Sequence, residues 1–105
     1  MIWVEGRIVP DDALRISVLD RTFEHGLGLF ETLRTWNGRP VLLPRHLDRL
    51  KRSAEQLRIP LDPGHLPTAD DVRALLDADG RDGDAMLRIT LSGGTSETSG
   101  STLWM

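Results

Sequence analysis

Arginine side chains are the most prominent candidates for chemistry in this 105-residue chain. Thirteen residues are Lys or Arg, and Lys51 is the single lysine among them. Arg45, Arg49 and Arg52 fall in one segment of helical spacing, where guanidinium groups can recognise an anion. The alternative is a solvated helix face, which is the usual position of charged helix residues. Spacing alone leaves both interpretations open, and a reaction that needs a lysine has only Lys51 to use.

Arg88 is a second candidate for anion recognition. It lies in the middle of an alternating segment, with Leu87, Ile89 and Leu91 on the opposite face. If the face of Arg88 lines a cleft, its guanidinium can hold a carboxylate through two hydrogen bonds. If that face meets solvent, Arg88 is an ordinary surface arginine, and composition does not decide between the two.

Acid–base and metal chemistry have weaker support. His25, Asp20 and Glu31 could exchange protons, but no serine or cysteine stands in a recognisable nucleophile motif. The three histidines are not spaced as metal ligands, so no metal site is predicted. The absence of cysteine excludes disulfides and cysteine-based zinc or redox sites.

Charge and hydropathy exclude two further classes of function. The formal net charge is −3 and the sequence pI is about 5.5, whereas nucleic-acid binders are usually basic. No apolar run approaches the roughly 18 residues of a membrane span, and no basic-then-apolar leader opens the chain. We therefore expect a cytoplasmic domain that binds neither nucleic acid nor membranes.

The elements that must position these side chains follow from hydrophobic periodicity and turn residues. The predicted elements are a hairpin over 1–10, a strand over 29–36, a turn at Asn37-Gly38, a partner strand over 41–43, helices over 44–58 and 68–77, and a strand over 85–91. Gly26-Leu27-Gly28 lacks the remaining residues of a phosphate-binding loop and is interpreted as a turn, so no regular helix is expected over 22–28. The predicted fold is α+β, a small antiparallel sheet of hairpins with two helices on one face.

The domain organisation is predicted from a change in composition after residue 92. Residues 1–92 form the α+β domain, and residues 93–105 are expected to be a Gly/Ser/Thr-rich linker. Leu103-Trp104-Met105 then end the chain, either as a frayed tail or as a truncation before a second domain. We expect the truncation.

Three segments stand in order along the chain: LDRTFEHGLGLFETLR over 19–34, HLDRL over 46–50 and LRITL over 87–91. In order and spacing they resemble motifs of the class IV pyridoxal-phosphate enzymes. The segment LDRTFEHGLGLFETLR over 19–34 is similar to the family's glycine turn followed by an aromatic residue and glutamate. HLDRL over 46–50 resembles its "H-L-x-R-L" helix, and LRITL over 87–91 resembles its "L-R-L-T-V" strand. The family contains branched-chain aminotransferases, D-amino-acid transaminases and aminodeoxychorismate lyase. The resemblance covers nearly all of residues 1–92 and corresponds to the N-terminal domain only.

The resemblance implies a role for several side chains. Arg49 matches the arginine that contacts the phosphate of pyridoxal 5'-phosphate. Phe30, with the neighbouring Glu31, falls in the substrate pocket, and His25 stands where an aromatic residue is common. Arg88 falls close to the arginine that binds a substrate carboxylate in branched-chain aminotransferases.

The sequence also departs from the family pattern. Leu27 stands between the two glycines where a polar residue is frequent, and the arginine that follows the later strand is missing. The Schiff-base lysine of the family lies in the second domain, outside this chain, and Lys51 does not match it. No catalytic residue is therefore assigned within the chain.

The function implied by the resemblance is that of part of a homodimeric aminotransferase. The complete enzyme would transfer an amino group between an amino acid and a 2-oxo acid. The 105-residue chain alone is expected to be inactive and to associate with the missing C-terminal domain. One alternative is a lyase of the aminodeoxychorismate type, and another is a non-catalytic dimerisation or binding remnant of the fold.

Overall fold

The computed structural model describes residues 1–105 and contains six strands and three α-helices. The strands are β1 (Ile2–Val4), β2 (Arg7–Val9), β3 (Gly28–Trp36), β4 (Arg39–Pro40), β5 (Met86–Ser92) and β6 (Leu103–Trp104). The helices are α1 (Arg21–His25), α2 (Leu43–Gln56) and α3 (Ala69–Ala78). The strands form one antiparallel sheet in the order β2-β1-β6-β5-β3-β4. Short 3-10 turns lie at Asp11–Ala13 and Pro63–His65.

One hydrophobic core joins the two longer helices to a single face of the sheet. Leu50 from α2 and Val72 from α3 are fully buried in the same cluster as Trp3, Leu33 and Ile89 from the strands. Burying this apolar surface is the main favourable contribution to the stability of such a layer. The predicted α+β fold with two helices on one face of an antiparallel sheet is confirmed.

Local sequence signals explain where the longer helices begin and end. Thr68 caps α3 and forms the reciprocal capping box with Asp71. Pro44 occupies the first turn of α2, where its missing N–H costs no hydrogen bond. Arg58 has a φ of +54°, which an α-helix does not accommodate, so α2 ends at Gln56 rather than at residue 58. None of the helices combines the length and apolar character needed to cross a membrane.

The partner strand of the Asn37-Gly38 hairpin differs from the prediction. We expected it over residues 41–43, but β4 covers only Arg39–Pro40. Leu42 has a φ of +57°, which turns the chain out of the extended conformation directly before α2. The apolar residues that indicated a strand instead form the connection into the helix.

The expectation of no helix over residues 22–28 is wrong. Helix α1 forms over Arg21–His25, and the Asp20 side chain caps it by accepting a hydrogen bond from the Thr22 N–H at 2.8 Å. Gly26, with a φ of +66°, terminates the helix in the left-handed conformation. The glycine thus marks the end of a short helix rather than excluding one.

Residues 93–105 also differ from the predicted linker. The Gly93 N–H donates to Thr22 Oγ1 at 2.8 Å, and the Arg21 N–H donates to the Gly94 carbonyl at 2.8 Å. Strand β6 then lies between β1 and β5, where Met105 exchanges two backbone hydrogen bonds with Trp3. The segment therefore consists of a tethered loop and an interior strand of the same sheet. That a second domain follows stays a prediction.

Candidate functional site

The alternation of β3 separates its side chains onto two faces of the sheet. Glu31 shares the buried face with Leu33, whereas Phe30 and Thr32 lie on the exposed face. Strand β5 continues both faces, because Glu31 pairs with Ile89 and Thr32 pairs with Arg88. The predicted pocket residues Phe30 and Glu31 therefore point in opposite directions.

Glu31 meets two basic side chains of α2 at the edge of the core. Arg49 Nε donates to Glu31 Oε1 at 2.6 Å, and Arg49 Nη2 donates to Oε2 at 2.6 Å. His46 Nδ1 lies 2.8 Å from the same Oε2 atom. The Glu31 side chain is 6% exposed and that of Arg49 is 62% exposed. A buried carboxylate on a strand thus holds an otherwise exposed guanidinium on a helix in the bidentate geometry that such pairs favour.

The charges in this cluster stabilise each other. Hydrogen bonding to Arg49 lowers the pKa of Glu31 below its ordinary value, and hydrogen bonding to His46 adds to that shift. Burial alone would raise the Glu31 pKa, but the two hydrogen bonds outweigh it. The same carboxylate raises the pKa of Arg49. Both groups are therefore charged at neutral pH.

A cationic pocket lies beside this pair along α2. Its volume is about 310 Å³, and its lining consists of Leu42, Arg45, His46, Arg49 and Arg52. The first turn of α2 contains no acidic residue. Glu31 engages only Nε and Nη2 of Arg49, so the Nη1 edge makes no hydrogen bond within the chain. The arrangement is suited to an anion with several oxygen atoms, such as a phosphate group.

A second cluster occupies the exposed face of the sheet. The Arg88 guanidinium stacks over the Phe30 ring, 4.2 Å from the ring centroid. Such a cation–π contact orients the guanidinium without using its hydrogen-bond donors. Phe30 is 59% exposed and Arg88 is also exposed, so the ring and the donors of Arg88 are both open to a ligand. This pair can present one apolar surface and one carboxylate-binding fork side by side.

Asp20, an acid–base candidate from the sequence, has a structural role in the fold. Its side chain is fully buried and accepts hydrogen bonds from the N–H groups of Thr22 and Gly94. Burial alone would raise its pKa, but the hydrogen bonds from Thr22, Ser92 and Gly94 lower it overall. Asp20 therefore stays ionised and fastens α1 to the loop after β5.

The structure brings the predicted site residues together in two pairs and leaves one apart. Arg49 pairs with Glu31, and Arg88 pairs with Phe30. His25 is exposed at the end of α1 and makes no hydrogen bond or ion pair with either. The structure contains no group of three or more side chains that could hold a metal ion.

Lys51 lies away from the Arg49 pocket. It follows Arg49 by two positions on α2, and residues two apart do not share a helix face. Its amino group lies 4.0 Å from the exposed Asp48 carboxylate instead. The lone lysine is thus placed on the flank of the helix.

Sequence reasoning did not identify His46 as a partner of Glu31. A signal was present in the period of two along β3, because Glu31 has the same parity as Leu33 and Thr35. A carboxylate on the buried face needs a cationic partner there. HLDRL places His46 and Arg49 three residues apart on one helix face, so both can reach that carboxylate.

Known protein sequences match this chain over most of its length. The sequence model of the family described as amino-transferase class IV matches residues 28–105. The chain is 35% identical over 98 residues to an aminodeoxychorismate lyase of Bacillus subtilis (strain 168), covering 92% of the chain and 33% of that relative. It is 31% identical over 104 residues to branched-chain-amino-acid aminotransferase-like protein 2 of Arabidopsis thaliana, covering 95% of the chain and 18% of that relative. The chain therefore spans a third or less of the length of these relatives.

Solved structures share the fold over almost the whole chain. A hypothetical aminotransferase from Mycobacterium tuberculosis, in its PLP-bound form, is 27% identical with a TM-score of 0.79 and covers 99% of the chain and 37% of that structure's chain. A branched-chain aminotransferase from Thermoproteus uzoniensis, solved with norvaline, is 24% identical with a TM-score of 0.72. The match covers 99% of the present chain and 39% of the aminotransferase chain, and at this identity it shows the fold alone. The resemblance seen in the sequence motifs is confirmed, and the chain belongs to the class IV aminotransferase family.

Proposed function

We propose that this chain supplies the phosphate-binding side and one substrate-binding wall of a pyridoxal-phosphate-dependent aminotransferase. The observation that carries the proposal is the Arg49 guanidinium, which Glu31 holds at the edge of a pocket with two further arginines, while His46 contacts the same carboxylate. The complete enzyme would move an amino group between an amino acid and a 2-oxo acid.

The residues around the pocket fit the cofactor phosphate in charge and in chemistry. A phosphate group carries nearly two negative charges at neutral pH and three acceptor oxygens. Arg49 offers its Nη1 edge, and Arg45 and Arg52 contribute two more guanidinium groups to the same pocket. Pyridoxal phosphate, when bound, supplies the electron sink that amino-group chemistry requires. The role of the chain's own side chains is to bind and orient it.

Arg88 and Phe30 are proposed to recognise the substrate. Amino acids and 2-oxo acids share a carboxylate, which a guanidinium fork can bind through two hydrogen bonds. Because Arg88 stacks on the Phe30 ring, its orientation is already restricted before the substrate arrives. The exposed ring then provides an apolar surface for the substrate side chain. His25 is proposed to border this pocket from the end of α1.

The proposed role of Arg88 in substrate binding can be tested with two cofactor analogues, of which only one carries the carboxylates of an amino acid. We expect N-(5'-phosphopyridoxyl)-L-glutamate to bind the chain more tightly than pyridoxamine 5'-phosphate does. Replacement of Arg88 by glutamine should reduce that ratio of affinities by about threefold to fivefold, the upper part of the range for an exposed charge pair. Arg73→Gln, on the exposed surface of α3, is the matched control. Equal affinities in the original chain, or an unchanged ratio in Arg88→Gln, would contradict the role of Arg88.

The chain alone is proposed to lack turnover. Cofactor chemistry of this class depends on a lysine with a lowered pKa. Lys51 is exposed, pairs with Asp48 and lies away from the Arg49 pocket. Purified chain with pyridoxal phosphate, an amino acid and a 2-oxo acid should therefore produce no new amino acid in a coupled assay. Sustained turnover by this chain would show that the lysine assignment is wrong.

A lyase is the second candidate, and one observation favours it. The identity of 35% over 98 residues is to a protein named aminodeoxychorismate lyase. Such an enzyme eliminates pyruvate instead of exchanging amino groups, and both reactions use the same cofactor. The complete enzyme, given a panel of substrates, separates them by whether pyruvate or a new amino acid accumulates.

The assembly and location belong to the same proposal. The complete protein is proposed to be a cytoplasmic homodimer in which the exposed face of this domain packs against a second domain. Support for the packing against a second domain comes from large apolar side chains left open in the structure, among them Phe23, Trp36 and Met86, which are 63%, 70% and 72% exposed.

A further inference from the structure

Glu31 is a buried charged residue to which the proposed function assigns no contact with a ligand. It lies on the face of β3 opposite Phe30, so it does not border the substrate wall with which the sequence grouped it. A buried carboxylate is costly unless it is paired and hydrogen-bonded. Its partners are therefore the direct indication of its role.

The partners of Glu31 leave the guanidinium of Arg49 with a single orientation. Two parallel bonds of 2.6 Å fix the plane of the guanidinium group relative to the strand. A guanidinium has five N–H donors, and Glu31 takes one from Nε and one from Nη2. The remaining donors on Nη1 and Nη2 point away from the carboxylate. An exposed arginine without such a partner would lose rotamer freedom whenever it bound a ligand.

His46 restricts the carboxylate in turn. Its Nδ1 atom contacts Glu31 Oε2, the oxygen that also receives Arg49 Nη2. His46 and Arg49 are three residues apart and lie on the same face of α2. His46 and Arg49 therefore contact the carboxylate from positions one helical turn apart. Strand β3 pairs with β5, and this pairing holds the backbone of Glu31 in place.

We infer that Glu31 is a positioning residue, which orients Arg49 so that the outer edge of its guanidinium meets the phosphate of the ligand. This inference rests on the proposed function for the identity of the ligand. Glu31 itself does not touch the phosphate. Arg45 and Arg52, which line the same pocket without an ion pair to Glu31, supply charge but lack that fixed orientation.

Coulomb attraction alone predicts the opposite of what positioning predicts. A carboxylate beside the pocket repels a phosphate, so its removal would strengthen binding if charge were all that mattered. If orientation dominates, removal of the carboxylate weakens binding because Arg49 must be ordered by the ligand itself. The sign of the change therefore separates the two explanations.

The first test is the affinity for pyridoxal phosphate of Glu31→Gln, compared with Glu55→Gln. Glu55 is an exposed residue of α2, so the control removes the same charge from the same helix. We expect Glu31→Gln to weaken binding by about threefold to tenfold, the effect of ordering one long side chain. We expect Glu55→Gln to leave the affinity unchanged or slightly raised. Unchanged or tighter binding in Glu31→Gln would overturn the inference.

The second test needs no ligand, and its main readout comes from the original chain. In the NMR spectrum of that chain, the Nε–H of Arg49 should exchange with solvent more slowly than those of Arg45 and Arg52. Glu31→Asp, which retains the charge but shortens the side chain, should bring the Arg49 signal closer to the other two. Equal exchange of all three in the original chain overturns the positioning role. Slow Arg49 exchange in a chain that binds no pyridoxal phosphate supports the positioning of Arg49 and contradicts the proposed function instead.

Discussion

Replacement of Gly93 by alanine is expected to lower the free energy of unfolding by about 3 kcal/mol or more, at the upper end of the range for overpacking. A Cβ atom at residue 93 would overlap the backbone carbonyl oxygen of Leu27 and lie 3.1 Å from Arg21 Cβ and 3.2 Å from the Thr22 nitrogen. Two of these three atoms belong to the backbone, so no side-chain rotation relieves the overlap. The same residues hold the chain that leads into β6, and a shift there disturbs the middle of the sheet.

Urea unfolding of Gly93→Ala and Gly83→Ala measures this effect against a matched control. A Cβ atom at Gly83 meets nothing within 4 Å, and Gly83 does not need a positive φ. Its replacement should change stability by no more than about 0.5 kcal/mol. If both variants had the same midpoint, the contact between the 93–94 turn and α1 would not hold in solution.

Replacement of Arg49 by alanine is expected to weaken the affinity of the chain for pyridoxal phosphate by about tenfold or more. The substitution removes the one guanidinium of the pocket whose orientation is fixed by the protein. It also leaves Glu31 buried with only His46 as a partner, so a negative charge is no longer balanced at the pocket edge. The loss of attraction and the gained repulsion act in the same direction.

Arg73→Ala is the control for the loss of a positive charge elsewhere. Arg73 is exposed on α3 and does not line the pocket, so its removal should leave the affinity almost unchanged. A thermal unfolding curve for each variant shows whether the protein is folded at the temperature of the titration. A folded Arg49→Ala variant with the original affinity would show that Arg49 does not bind the ligand.

Much of the fold follows from signals that act over a few residues. Thr68 and Asp71 predict the start of α3 because a capping box is satisfied within one turn. Asn37-Gly38 predicts the turn after β3 because both residues accept a positive φ. Strand β6 could not be found in this way, since its two residues gain their stability from pairing with β1 and β5, far away in the sequence.

The sequence motifs name candidate residues for the site but do not specify how those residues are arranged. The motifs identified Arg49, Phe30, Glu31 and Arg88, and the structure gives each of them a specific partner. The grouping of Glu31 with Phe30 came from their adjacency in the motif, whereas neighbours in a strand point to opposite faces. Whether the guanidinium of Arg88 faced solvent or a neighbouring ring depended on the register between β3 and β5, which local patterns do not specify.

The proposed function depends above all on the cationic pocket along α2 receiving the phosphate of the cofactor. The most direct measurement is an NMR titration of the 105-residue chain and of Arg49→Ala with pyridoxal phosphate and with pyridoxal, which lacks the phosphate. Pyridoxal phosphate should bind the original chain more tightly than pyridoxal does, shift the side-chain signals of Arg45, Arg49 and Arg52, and lose that advantage in Arg49→Ala. Equal binding of the two compounds, or shifts confined to other parts of the chain, would contradict the claim.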